Sequence, residues 1–321
     1  MPNPDSPGLP ARAALDATGL HLALADIARE ELRDPFLQDT LQRVPAAQTI
    51  VHVPKAELGR APASAAPSGV IFHVARCGST LLSQLLKLSD EIVVYSEPLA
   101  VSEVLVPPHA GARADLVAAL RTVGKFFATH ARQPYVLKLS SWNTLFCDIV
   151  AEAFPLTPWA ICIRDPLEVC VSLLQQRPGW LRGDYAARFS AFVDPGGEAR
   201  VAEQQLARVF AAFCEGASRL DPTRGLLVPY EMLPDAVWNS LAPHFGLRLT
   251  DATRHSMAVA SRIHSKSQIG RATVFVADDE TKRAAATPEL RRAVDQIARP
   301  AYGRLLERLK HTDGSSNLGT T

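Results

Sequence analysis

Gly69-Val-Ile-Phe-His-Val-Ala-Arg-Cys-Gly-Ser-Thr-Leu-Leu-Ser-Gln-Leu-Leu86 is the stretch whose reading decides the fold. An apolar run ends in Arg76-Cys77-Gly78-Ser79-Thr80, and a helical apolar pattern follows at once. The spacing predicts strand, tight loop, helix. A loop of this kind aims backbone N–H groups, and the positive end of a helix dipole, at one point. Such a point binds an anion, most often a phosphate. Gly78 permits a positive φ or a close backbone approach. Arg76 adds a permanent positive charge, and Ser79 and Thr80 add hydroxyl donors. The nucleotide-triphosphatase pattern G-x-x-x-x-G-K-[ST] is absent, because Ser79 follows Gly78 and the charge lies two residues before it. A plainer reading of the same residues is a buried strand feeding an N-capped helix.

Outward from this segment, further apolar runs predict four more strands: Ile92–Tyr95, Tyr135–Leu139, Trp159–Ile163 and Gly225–Tyr230. Helices are expected over about 113–130, 144–153, from Leu167, over 198–219 and over 288–310. Continuous apolar strands alternating with helices argue for a parallel sheet covered on both faces. The expected class is α/β, a three-layer P-loop-type sheet of about five strands flanked by helices. Residues 13–44 have helical periodicity broken at Pro35 and Pro45, and 60–68 reads as a linker. The domains expected are therefore a helical N-terminal extension with linker, 1–66, an α/β domain, 67–312, and a disordered tail, 313–321. Ligands of such sheets bind beyond the carboxyl ends of the strands. Arg76, Glu97, Lys138 and Arg164 each fall at such an end.

The chain has 321 residues, is 47% hydrophobic and 21% charged, and carries a net charge of +1. No global field argues for nucleic acid or an anionic membrane, so an anion site must be local. The five cysteines form no C-x-x-C pair, which argues against a disulfide framework or zinc site and for small buried hydrophobes. The N-terminus has no basic region followed by an apolar one, and no apolar run reaches membrane-spanning length. A cytoplasmic protein is the expectation, with monomer and homodimer both open. His73 reads as a core histidine, and His109 and His130 as surface residues. Trp142, Trp180 and Tyr185 read either as pocket walls or as aromatics at a loop edge. The long loop 177–197 reads as a lid or an acceptor-recognition element.

Arg164-Asp165-Pro166-Leu-Glu-Val-Cys-Val-Ser172 is a second informative stretch. Asp165 can cap the following helix, and Pro166 suits its first turn. Together the two segments resemble the sulfotransferase superfamily, in its bacterial and Golgi-type branch. There a Lys/Arg-Ser-Gly-Thr/Ser-Thr loop holds the 5′-phosphosulfate of 3′-phosphoadenosine-5′-phosphosulfate; Arg76, Cys77, Gly78, Ser79 and Thr80 match it, with Cys77 replacing the usual Ser. An Arg followed eight residues later by a Ser holds the 3′-phosphate; Arg164 and Ser172 match that spacing. Val228-Pro-Tyr-Glu-Met-Leu233, followed by His244-Phe-Gly-Leu247, is a third likeness. The resemblance spans about residues 68–248. Two family elements are missing: a His after Lys-Thr-x-x-Pro, replaced here by Lys138-Leu-Ser-Ser-Trp142, and the C-terminal Arg-Lys-Gly. The resemblance implies that Lys266, in Ser265-Lys266-Ser267, or Gly270-Arg271 would stand in for the latter.

The resemblance implies sulfuryl transfer from the phosphoadenosine donor to a hydroxyl or amine acceptor, with no metal. Arg76, the loop amides and Lys138 would stabilise charge on the leaving phosphate oxygen. Glu97, in Tyr95-Ser-Glu-Pro98, would be the base toward the acceptor. A P-loop small-molecule kinase and an inactive nucleotide-binding module are the alternatives. Arg164 with Ser172 counts against the kinase, which has no use for a 3′-phosphate site; donor binding without transfer would mark the inactive module.

Overall fold

The computed structural model describes residues 8–60, 62, 65–105, 112–181, 192–194, 196–199, 201–262 and 279–310. The apolar runs read from the sequence become five parallel strands in the spatial order β5-β6-β4-β7-β8. They are β4 (Gly69–His73), β5 (Val93–Ser96), β6 (Tyr135–Lys138), β7 (Trp159–Ile163) and β8 (Gly225–Pro229). Every residue of β4 to β7 is buried, which is why these runs are continuously apolar rather than alternating. Val70 of the central strand lies beside Leu137 of β6 and Trp159 of β7.

Helices supply the crossovers and cover the sheet: α2 (Ser79–Leu86), α3 (Leu99–Leu105), α4 (Arg113–Ala131), α5 (Cys147–Ala153), α6 (Pro166–Gln175) and α7 (Ala202–Ala217). Beyond β8 come α8 (Asp251–Ala260), α9 (Asp279–Ala284) and α10 (Pro288–Ala293), which runs through a π-turn into α11 (Arg299–Lys310). From β4 the chain moves to β5 on one side, returns to β6, then crosses to β7 and β8. That reversal puts a crevice at the carboxyl end of β4. Among the described residues no helix is long and apolar enough to cross a membrane. The tail from Asp313 lies outside the described residues.

The N-terminal region corrects the expected helical extension. It is an antiparallel sheet of β1 (Leu9–Leu15), β2 (Gly19–Ala25) and β3 (Gln48–Pro54), with α1 (Leu37–Arg43) between β2 and β3. The Ala- and Leu-rich composition favours helix intrinsically, but two features override it. Leu20, Leu22 and Leu24 repeat at period 2. The Asp16 side chain also accepts from the N–H groups of Thr18 (2.7 Å) and Gly19 (3.2 Å), which builds the hairpin turn. The sheet packs on α3, where Glu103 accepts from Arg12 Nε (2.5 Å) and Ala13 N–H (2.7 Å). Leu9, Leu20 and Leu22 share one continuous core with Val70 and Leu120.

His130 is a second correction. It is buried rather than on the surface, with Nδ1 2.7 Å from Tyr95 Oη and Nε2 2.8 Å from Ile27 O. The segment following β2 covers this end of α4, which periodicity along α4 could not reveal.

Candidate functional site

The carboxyl ends of all five parallel strands carry the residues of interest. After β4, Ala75 (φ 66°), Arg76 (φ 51°) and Gly78 (φ 80°) are left-handed, and Gly78 is the N-cap of α2. Successive turns of this kind point N–H groups into a concavity suited to an anion. A Cβ on Gly78 would stand 2.6 Å from Leu233 Cδ1 and 3.1 Å from the Tyr230 ring, so space as well as φ requires glycine there. Ser79 and Thr80 form the buried first turn of α2. Cys77 is fully buried, and burial pushes its thiol up to about 11. It therefore packs as a small side chain, although the adjacent helix start would favour a thiolate in the open.

Arg76 reaches across to α6. Its Nε donates to Ser172 Oγ (2.7 Å) and its Nη2 to Gln176 Oε1 (3.1 Å). The loop and the Ser172 of the second stretch are thus joined by one side chain.

Helix α6 starts as its sequence suggests: Asp165 accepts from Leu167 N–H (2.8 Å) and Pro166 occupies the first turn. Arg164, just past β7, is 3% exposed. Its Nε donates to Glu168 Oε2 (2.8 Å), its Nη1 to Arg76 O (3.3 Å), and its guanidinium lies 3.9 Å from the Tyr230 ring centroid. Arg164, Glu168, Ser172 and Gln176 recur every four residues, so they share one face. Arg283 of α9 donates to Glu168 Oε1 from Nε (2.7 Å).

On the other flank, Glu97 follows β5 with φ 53°, a costly backbone state for a non-glycine residue. Its N–H donates to Lys138 O (2.6 Å). Lys138 is completely enclosed and its Nζ pairs with Glu97 Oε1. Ser140 Oγ lies 3.4 Å from Glu97 Oε2, and His73 Nε2 lies 3.7 Å from Oε1. His73 is the satisfied core histidine expected: Ala75 N–H donates to Nδ1 (3.2 Å), and Nε2 is 3.0 Å from Leu139 O. It also ties the end of β4 to Glu97.

The N-terminal region walls this flank. The Phe36 ring centroid is 5.3 Å from Lys138 Nζ. Lys87 Nζ donates to Asp34 O (2.5 Å), and burial brings its ammonium down to about 8. Asp39 is raised, first by burial and then by the carboxylates of Asp34 and Glu97.

Among the sequence candidates, Arg76, Cys77, Gly78, Ser79, Thr80, Arg164 and Ser172 gather around the β4–α2 loop and α6. Glu97 and Lys138 meet as an ion pair beside it. Lys266, with the whole of 265–271, lies outside the described residues, as do His109 and Tyr185. Trp142 is buried and packs edge-on against Phe146. Sequence reasoning missed Glu168 and Gln176, although their four-residue spacing from Arg164 and Ser172 was a readable signal. It had no signal for Phe36 or Arg283, which arrive from distant segments.

No family model and no curated protein matches the chain. Among solved structures it is similar to the sulfotransferase domain from the curacin biosynthetic pathway, at 18% identity and a TM-score of 0.44, covering 73% of this chain and 98% of that one. It is also similar to the sulfotransferase domain of the Synechococcus PCC 7002 olefin synthase, at 16% identity and 0.43, covering 73% and 94%. A third likeness is to mouse sulfotransferase SULT7A1 complexed with PAP, at 11% identity and 0.42, covering 76% and 88%. Each of these three solved proteins is a sulfotransferase.

Proposed function

We propose that this chain is a sulfotransferase that takes 3′-phosphoadenosine-5′-phosphosulfate as donor and a hydroxyl or amine as acceptor. One observation carries the reading. A backbone anion loop, Arg76, Arg164 and Ser172 stand together on one flank of the strand rim, and Glu97 with Lys138 stands on the other. A ligand with anionic groups at both ends suits the first flank, and an acceptor proton suits the second.

The donor supplies an activated sulfuryl group; the chain positions and neutralises charge. The N–H groups at the start of α2 and the Arg76 guanidinium hold the 5′-phosphate as it becomes the leaving group. Arg76 keeps its proton throughout, because guanidinium does not release it near neutrality. Ser172 and Arg164 hold the 3′-phosphate end. Glu97 takes the acceptor proton. Lys138 and Ser140 orient its carboxylate, and the strained φ of Glu97 aims it.

Thermal stabilisation by adenosine 3′,5′-bisphosphate, compared with ADP and with ATP plus Mg²⁺, tests the donor. The bisphosphate should stabilise by about 2.7 kcal/mol at a hundredfold excess over Kd, and the others by much less. Glu97→Gln should keep that stabilisation while transfer to an acceptor panel falls by about 10²–10⁴. A preference for ATP with Mg²⁺ would replace this reading with a kinase. Transfer surviving in Glu97→Gln within a few-fold would remove Glu97 as the base.

A further inference from the structure

Glu168 is the unexpected residue on the proposed anion-binding face. It is 2% exposed and sits between two arginines. Arg164 Nε holds Oε2 at 2.8 Å, and Arg283 Nε and Nη2 both hold Oε1 at 2.7 Å. A carboxylate at this place opposes a bound phosphate by Coulomb's law, so beyond compensating the buried Arg164 its charge gives the anion site no reason for its presence. Geometry gives one. The Arg164 guanidinium is tied at Nε to Glu168, at Nη1 to Arg76 O, and is stacked on Tyr230. Three constraints fix the plane of a planar, forked donor. The second carboxylate oxygen reaches a different element, α9, through an arginine whose side chain is 59% exposed.

We propose that Glu168 is a positioning residue of the anion site. It fixes the plane of Arg164 and, through Arg283, docks α9 against the same face of α6. Affinity for a doubly phosphorylated nucleotide then depends on a carboxylate that does not touch the nucleotide. The inference rests on the donor reading above, and the two fail differently.

Calorimetric titration of the full chain with adenosine 3′,5′-bisphosphate and with adenosine 5′-monophosphate tests it. The proteins are wild type, Glu168→Gln, Arg283→Ala and Arg283→Lys. Removing a negative charge from an anion site should tighten binding if the carboxylate acts only as charge. If it positions the guanidinium groups, Glu168→Gln weakens the bisphosphate by about tenfold or more. The monophosphate should meanwhile stay within about threefold, since Arg164, the arginine that Glu168 positions, serves the second phosphate. Arg283→Ala should weaken the bisphosphate selectively, and Arg283→Lys should restore part of the loss. Unchanged or tighter bisphosphate binding in Glu168→Gln overturns the proposal. Should that buried change prevent folding, Arg283→Ala, at an exposed side chain, decides: unchanged bisphosphate affinity overturns it. A wild type that fails to prefer the bisphosphate overturns the donor reading itself, and the proposal with it.

Discussion

At the scale of the residue, burial reverses what local chemistry would suggest. Cys77 stands at a helix start beside an arginine, yet its thiol is driven up to about 11, and Cys147 and Cys170 reach about 12. Lys87 moves the other way, from 10.5 to about 8, because burial penalises its charged form and Lys138 repels it, with Asp34 and Asp39 offsetting part of the loss. These displacements make stability depend on pH with opposite signs. For Lys87 the unfolded chain keeps its proton up to about 10.5 while the fold releases it near 8. The unfolded state therefore binds more protons in that window, and stability rises with pH across it. A displacement of that size is worth about 3 kcal/mol. The buried thiols lose stability as pH climbs past about 9, where the unfolded chain ionises first. Lys87→Met keeps the thiol contribution and removes the lysine one. Urea unfolding of both proteins from pH 7 to 10.5 should show wild type gaining about 3 kcal/mol on the variant. A flat difference would mean that Lys87 is solvated in the fold.

At the scale of the element, the β4–α2 loop concentrates strain where the anion would sit. Ala75, Arg76 and Gly78 all have positive φ, and only one is a glycine. The sequence announced the Gly78 conformation, because no other residue serves a tight strand-to-helix turn so cheaply. It did not announce Ala75, Arg76 or Glu97, whose backbones are held by neighbours such as the Lys138 carbonyl. Gly78→Ala must accept φ 80° and place a methyl 2.6 Å from Leu233 Cδ1. It should cost about 1–3 kcal/mol, read as a lower urea midpoint, and should abolish stabilisation by the bisphosphate. Unchanged stability would show that the loop can relax to a negative φ. The strands themselves were legible: all five appear where apolar runs predicted them, and in β4 to β7 burial on both faces leaves a continuous apolar signature. The hairpin of β1 and β2 was not, because Ala and Leu serve helix and strand alike and only pairing decides between them.

At the scale of the whole molecule, the N-terminal sheet is built into the main body of the fold instead of hanging from a linker. It brings Phe36 over Lys138 and the Asp34 carbonyl to Lys87, so one wall of the Glu97 flank comes from the first tenth or so of the chain. Glu103 fastens it by accepting from Arg12 and from the backbone of Ala13. The Arg12 contact is mostly exposed and contributes little. The Ala13 N–H is part-buried, and stripping its acceptor should cost about 1–3 kcal/mol. Glu103→Ala should therefore lower Tm and speed hydrogen exchange along β1 and β2 while amides of β4 and β6 stay protected. Uniform loss of protection across both sheets would instead mean that they open as one cooperative unit.

The sequence alone determined the five parallel strands, the helices between them other than α3, the loop at Arg76–Thr80 and the capped start of α6. Each of these is written in contiguous residues whose periodicity or turn chemistry is self-sufficient. Only the tertiary structure decided that Arg76 bonds Ser172, 96 residues away, that Arg283 meets Glu168 across 115, and that Glu97 takes Lys138 as its cation. Charged side chains have no sequence period of their own. Their partners are set by which elements the buried sheet brings side by side, and that choice belongs to the packing of the whole chain.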